Sequence, residues 1–272
     1  MTSSVNDLVL VAGATGGVGQ LVVSKLLEKG LGVRILTRNL AKSQNMFDDR
    51  VEIAVGDIRD ATTLTTAMLN VTHIISCTGT SAFPSNRWEF DPSPNWIEWV
   101  QLLIDPQLRE SRAKNSPQKV DADGVSNLVA AAPLNLQRFV LLSSCGVTRK
   151  KEPPLNILNS FGVLDAKQKG EEAVINSGLP YTIIRPGRLI DGPYTSYDIN
   201  TLIKAKTDGK FDVTIAQGDK LAGDSSRIDV AAACVECIFL PGTVKQSYEL
   251  ISKGTRPSVI DWEKLFSQPT TV

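Results

Sequence analysis

Short apolar runs rich in Val, Ile and Leu alternate along the chain with longer stretches in which apolar residues return every third or fourth position. The short runs, at residues 8–12, 33–37, 51–55, 73–78, 138–144, 181–185 and 247–252, predict strands. The stretches 17–29, 61–69, 119–132 and 161–177 predict the helices between them, and 229–240 reads as a further apolar helix. Strands and helices that alternate in this way, joined by right-handed crossovers, build an α/β fold: a doubly wound, mostly parallel sheet with helices on both faces. No internal repeat or linker interrupts the rhythm, so residues 1–272 read as one domain.

One segment breaks the alternation. Residues 81–117 are too long for an ordinary strand-to-helix connection and carry Pro84, Pro92, Pro94, Pro106 and Pro117, which marks an insertion after the fourth strand. Trp88, Trp96 and Trp99 cluster there. Two readings stay open: the indoles cover a pocket or meet a protein partner, or they pack the insertion onto the sheet. A second irregular region, 188–220, follows the sixth strand and is expected to form the other wall of a cleft.

Composition narrows the class without naming it. The 29 basic side chains balance 29 acidic ones, so no long-range field recruits nucleic acid or an anionic membrane. The longest apolar runs fall far short of the roughly 20 residues a membrane-spanning helix needs. The stretch Met1 to Asp7 is short and polar before the first strand, which leaves no room for a secretory or transit peptide. The expected location is therefore the cytoplasm, or a plastid stroma after processing. Cys234 and Cys237 have the spacing of half a zinc site, but the other half is missing, and buried thiols behave as small hydrophobes. No metal is expected.

The chemistry begins at the end of the first strand. Residues 8–12 run into Gly13, Ala14, Thr15, Gly16, Gly17, Val18 and Gly19, and then into a helix. In the context of strand, turn and helix this spacing predicts a dinucleotide site. Gly13 permits the tight turn, Gly16 lets the backbone approach a diphosphate, and Gly19 lets the helix pack closely on its strand. The diphosphate then meets the positive end of the helix. An NAD-selective site places an acid at the end of the second strand, whereas here the residues are Thr37 and Arg38. A guanidinium there suits a 2′-phosphate, which predicts NADP(H). Asp57 and Ile58 follow the third strand, where the carboxylate could meet an adenine amino group, and Thr78 and Gly79 end the fourth strand beside the cofactor.

The glycine turn, the segment Val55-Gly56-Asp57-Ile58-Arg59-Asp60, the fifth strand, and Leu179 through Arg185-Pro186-Gly187 together resemble the atypical short-chain dehydrogenase/reductases. Within them the chain is similar to the NmrA-like branch and its plastid and cyanobacterial members, over nearly its whole length. The resemblance implies a Rossmann fold, NADP(H) binding, and a nicotinamide bordered by Pro186. Members of the superfamily commonly use a serine after the fifth strand and a Tyr-x-x-x-Lys pair. Ser143 or Ser144 and Lys167 match that pattern, but the tyrosine position is Val163, which has no proton to give.

Lys167 shares an inward helical stripe with Val163, Gly170 and Val174, so it either anchors the nicotinamide ribose or snorkels to solvent. The serines could bind substrate or cap backbone. Tyr194 and Tyr197, in the loop after Gly187, are candidate replacement acids. Asp121 and Asp123 open a helix and are expected to meet its first amides. His73, the sole histidine, reads as structural. Two functions follow: an NADP(H)-dependent oxidoreductase for a small or conjugated acceptor, or a non-catalytic NADP(H) sensor or assembly factor acting through protein contacts.

Overall fold

The computed structural model describes residues 7–84, 88–190 and 210–270. The strands are β1 (Leu8–Ala12), β2 (Gly32–Thr37), β3 (Glu52–Val55), β4 (His73–Ser76), β5 (Arg138–Leu142), β6 (Tyr181–Pro186), β7 (Arg188–Leu189), β8 (Phe211–Ala216), β9 (Asp224–Ser225) and β10 (Gln246–Thr255). Eight of them form one sheet in the order β3-β2-β1-β4-β5-β6-β10-β8, and β7 pairs with β9 apart from it. Every pairing in the large sheet is parallel except β8 with β10. The sheet is thus the doubly wound one the alternation predicted. From β1 the chain builds outward to β2 and β3 and then returns to place β4 on the other side. Such a reversal leaves a crevice beyond the carboxyl ends of the two central strands.

Both faces of the sheet are covered, which is why its central strands read as continuous apolar runs rather than alternating ones. On one face Val9 and Val11 pack with Leu21, Val22 and Leu26 of helix α1 (Gly17–Glu28) and with Val230, Ala233 and Cys234 of a later helix, Arg227–Glu236. On the other, Leu10 and Ala12 meet Leu64, Val125, Leu128 and Val174. Gly170 draws two elements of that second face together, since a Cβ there would lie 2.3 Å from the Asp121 carbonyl oxygen.

Helix α2 (Leu40–Phe47) follows β2. The insertion holds two short helices, α3 (Trp96–Ile104) and α4 (Pro106–Arg112), each started by a side-chain cap: Asn95 to the Glu98 amide, and Asp105 to the amides of Gln107 and Leu108. Its two ends are joined where Phe90 bridges Ala113 and the Lys114 amide donates to the Glu89 carbonyl. The predicted helix 119–132 begins as a π turn, Gln118–Asp123, and continues as α5 (Gly124–Ala131). Helices α6 (Leu155–Leu158), α7 (Val163–Asn176), α8 (Arg227–Glu236) and α9 (Trp262–Ser267) complete the described set. None of the described helices is long and apolar enough to cross a membrane.

Three expectations are corrected. The helix expected over 61–69 is only a 3-10 turn, Ala61–Thr63, followed by irregular turns. Side chains compete with the helical ladder there: the Thr63 hydroxyl donates to the carbonyls of Asp57 and Asp60, and Asp60 accepts from the Thr62 amide. The helix expected over 229–240 stops at Glu236 and tightens into a 3-10 turn. The region 188–220, expected to be irregular, contains β8, whose edge position leaves its alternation partly exposed; residues 191–209 of that region lie outside the described residues.

Candidate functional site

Gly13 leaves β1 with φ +79°, and its backbone turns hard against the end of β4, because a Cβ there would sit 2.8 Å from the Cys77 carbonyl group. Gly16 then serves as the N-cap of α1 and has no side chain to occupy the first amides. Those donors face outward with the positive end of the helix dipole, and no acidic residue stands in the first turn to oppose an anion. Gly19 closes the motif from behind: a Cβ at this position would lie 2.2 Å from the Gly13 carbonyl oxygen. Val18 is buried in the core, so it shapes the turn from inside. Gln20, which sequence reasoning passed over, is buried and donates to the Thr15 carbonyl at 3.2 Å, pinning the outer part of the turn.

From this turn a cleft of about 340 Å³ extends across the ends of four strands. Thr15 and Gly16 border it after β1, Thr37 and Arg38 after β2, Asp57, Ile58 and Arg59 after β3, and Thr78 and Gly79 after β4. The glycine cradle and the uncapped helix start fit the diphosphate of a dinucleotide. At one end Arg38 projects, half-exposed, and pairs with Glu89 of the insertion at 3.0 Å. Asp57 is at the cleft as expected, but both its oxygens are engaged by Arg59, whose Nε lies 2.9 Å from each. Burial works against the Asp57 carboxylate, yet the Arg59 hydrogen bonds and charge, with Arg38 further off, hold its pKa below the usual range. Arg59 also donates to the Lys114 carbonyl at 2.6 Å, fastening the insertion to this end of the cleft.

Adjoining the cleft at Thr78, a second and much smaller cavity lies between β4, β5 and α7. Lys167 projects from α7 to within 2.8 Å of Asp121 Oδ1, and the Thr80 amide donates to Oδ2 at 3.1 Å. Asp121 is 3% exposed. It therefore does not serve helix amides: the π turn rotates it inward, where it becomes the counter-ion of Lys167. Asp123 points outward and accepts from Gln118. A lysine on an inward stripe demands a charge partner, and that was the signal that could have found Asp121. Ser143 and Ser144 also separate. The Ser144 hydroxyl donates to the Cys145 carbonyl, whereas Ser143 Oγ is buried without a hydrogen-bond partner among the described residues. Ser143 shares a small cavity of about 10 Å³ with Thr78, Asp121 and Lys167. Asp219, missed in the sequence, braces the following loop by accepting from the amides of Gly146 and Thr148 at 2.6 and 2.7 Å.

Val163 is buried against Val147 and Leu164, so an aliphatic cluster occupies the position of the tyrosine. Pro186 is buried at the end of β6, and its carbonyl accepts from the Cys145 amide. Tyr194 and Tyr197 lie outside the described residues. His73 sits at the opposite, amino-terminal end of β4 beside the Thr72 hydroxyl, and burial lowers its pKa. The tryptophans divide: Trp88 is buried and donates to the Ser81 carbonyl, Trp99 meets Phe90 edge-on, and Trp96 is 77% exposed.

The profile of NAD(P)H-binding proteins matches residues 13–241, beginning at the first glycine of the turn. The chain belongs to the NAD(P)H-binding family. Across 97% of its length it is 30% identical to an uncharacterised chloroplast protein of Arabidopsis thaliana, covering 75% of that protein. It is also 30% identical to sanguinarine reductase of Eschscholzia californica, over 99% of this chain and 98% of that one. The solved structure of an anaerobillin reductase from Escherichia coli O157:H7 superimposes with a TM-score of 0.65 at 21% identity, over 92% of this chain and 100% of the other, which shows a shared fold. The resemblance to the atypical short-chain, NmrA-like group therefore holds.

In this NAD(P)H-binding protein Cys145, Cys234 and Cys237 are buried, and Cys77 is half-buried at the wall of the cleft. All four are free, and burial pushes the thiols of Cys77, Cys145 and Cys237 up to about 12 and also raises that of Cys234 well above its ordinary value. Since the thiolate is the reactive form, the native protein should not react with a thiol reagent such as DTNB at pH 8. Unfolding in guanidinium should release all four. Rapid modification of the native protein would show that one of these thiols is reachable and acidic.

Proposed function

We propose that this protein is an NADP(H)-dependent reductase acting on a small or conjugated acceptor. The observation that carries the reading is the buried Lys167–Asp121 pair beside the unpartnered Ser143 hydroxyl, in the small cavity that adjoins the cleft at Thr78. The glycine turn and the first amides of α1 are the groups to hold the diphosphate, and Arg38 the group to hold the 2′-phosphate. Bound NADPH supplies a hydride. Asp121 fixes the ammonium of Lys167, which keeps further N–H groups for the nicotinamide ribose. Ser143 offers one hydroxyl to the acceptor. With Val163 in place of a phenol, no proton donor stands at that position among the described residues, so delocalised acceptors such as quinones, flavins and iminium ions suit the site better than simple ketones. The relative named sanguinarine reductase supports this direction.

Titration calorimetry with NADPH and NADH tests the cofactor. Charge-assisted hydrogen bonds are worth about 1.5–3 kcal/mol, so Arg38→Ala should weaken NADPH by about tenfold or more and leave NADH within about twofold. Equal effects on both would remove the 2′-phosphate from the account. Absence of NADPH oxidation with every acceptor of a panel of quinones, flavins and conjugated iminium ions would remove the reductase.

A second reading, the sensor or assembly factor, has its own observation. Trp96, Ile97, Val100, Leu103 and Ile104 form one exposed apolar stripe along α3, a face of the kind that meets protein. The chloroplast relative supports a plastid or cyanobacterial setting for either reading.

A further inference from the structure

We infer that Glu89 is a determinant of dinucleotide choice: its carboxylate competes with a 2′-phosphate for Arg38 and itself accepts the 2′-hydroxyl of NAD(H). The inference rests on the reading that Arg38 receives the 2′-phosphate. Glu89 Oε1 lies 3.0 Å from Arg38 Nη2 and Oε2 lies 3.4 Å from Nη1, a two-pronged pairing of carboxylate and guanidinium. Arg59 Nη1 approaches the same Oε2 at 3.7 Å. Two guanidiniums, from the ends of β2 and β3, thus converge on one acidic group.

That group is held in place by its own backbone. The Glu89 amide donates to Asn115 Oδ1 at 2.6 Å, its carbonyl accepts from the Lys114 amide at 2.7 Å, and Arg59 fastens Lys114 in turn. Arg59 is already committed to Asp57, which leaves Arg38 as the guanidinium the two anions contest. An NAD-selective site needs an acid beside the adenosine ribose, and β2 does not supply one. The insertion supplies it from a point about 50 residues further along the chain. A phosphate brings about 1.5 to 2 negative charges and three acceptor oxygens, so it displaces a single carboxylate from Arg38 against that carboxylate's repulsion. Cofactor choice is then set by the pair, with Arg38 favouring NADP(H) and Glu89 favouring NAD(H).

The test is the affinity of Glu89→Gln protein for NADPH and NADH, measured by calorimetry beside wild type and Arg38→Ala. Glutamine keeps the size and removes the charge at a half-exposed position, and a thermal melt checks the fold. NADPH should bind about three- to tenfold tighter and NADH about two- to fivefold weaker, changing the ratio by about six- to fiftyfold. The fragments 2′,5′-ADP and 5′-AMP should show the same divergence without the nicotinamide end. A ratio that stays within twofold of wild type, while Arg38→Ala still weakens NADPH, overturns the role of Glu89 and leaves the cofactor reading standing. If Arg38→Ala leaves NADPH binding unchanged, the cofactor reading itself fails, whatever Glu89→Gln does.

Discussion

Gly19→Ala protein is expected to bind NADPH at least ten- to a hundredfold more weakly than wild type, because the new methyl group has nowhere to go. Its Cβ would fall 2.2 Å from the Gly13 carbonyl oxygen and 2.8 Å from Ala14 Cα, both backbone atoms that cannot swing aside. Relief requires α1 to slide away from β1 or the turn to open. Val22 and Leu26 are fully packed against the sheet, so the helix resists, and overpacking of this kind costs about 1–3 kcal/mol. The turn yields instead, and the amides that must converge on the diphosphate lose their common focus. Gly242→Ala is the control, since a Cβ there meets nothing within 4 Å. Calorimetry with NADPH and a thermal melt read both consequences. Unchanged affinity in Gly19→Ala would show that the diphosphate is held elsewhere.

The glycine turn was legible in the sequence because its requirements are local. A strand, a turn too tight for side chains and a helix start follow one another within twelve residues, Leu8–Gly19, and each is dictated by the chain nearby. The central strands were legible for a similar reason, since burial on both faces leaves a continuous apolar run that few other structures tolerate. The charge partners of Lys167 and Arg38 were not. Asp121 had the sequence of a helix-opening acid, and only the π turn and the close approach at Gly170 turn it toward Lys167. Glu89 sat in a segment without periodicity, and its meeting with Arg38 depends on how the insertion is joined at its base. Both are long-range pairings that a local pattern does not encode. The segment 61–69 misleads in the opposite sense: apolar spacing suggested a helix, while the Thr63 hydroxyl, bonding to the carbonyls of Asp57 and Asp60, competes with its ladder.

Lys167→Met is expected to lower turnover by about two orders of magnitude, and the same substitution should destabilise the fold by about 3–5 kcal/mol. The two losses have separate causes. The stability loss arises because Asp121 would remain 3% exposed with its counter-ion gone and one amide donor, from Thr80, left to it. The activity loss arises because the ammonium no longer meets the bound nucleotide. A double variant tells them apart, since an apolar pair of similar volume commonly replaces a buried ion pair without loss of stability. Lys167→Met with Asp121→Leu should recover most of the melting temperature yet remain as inactive with a quinone acceptor as the single variant, and NADPH should still bind it several-fold more weakly than wild type. Recovery of turnover together with stability would falsify the role given to Lys167, because a lysine needed only to neutralise Asp121 becomes dispensable once Asp121 is gone.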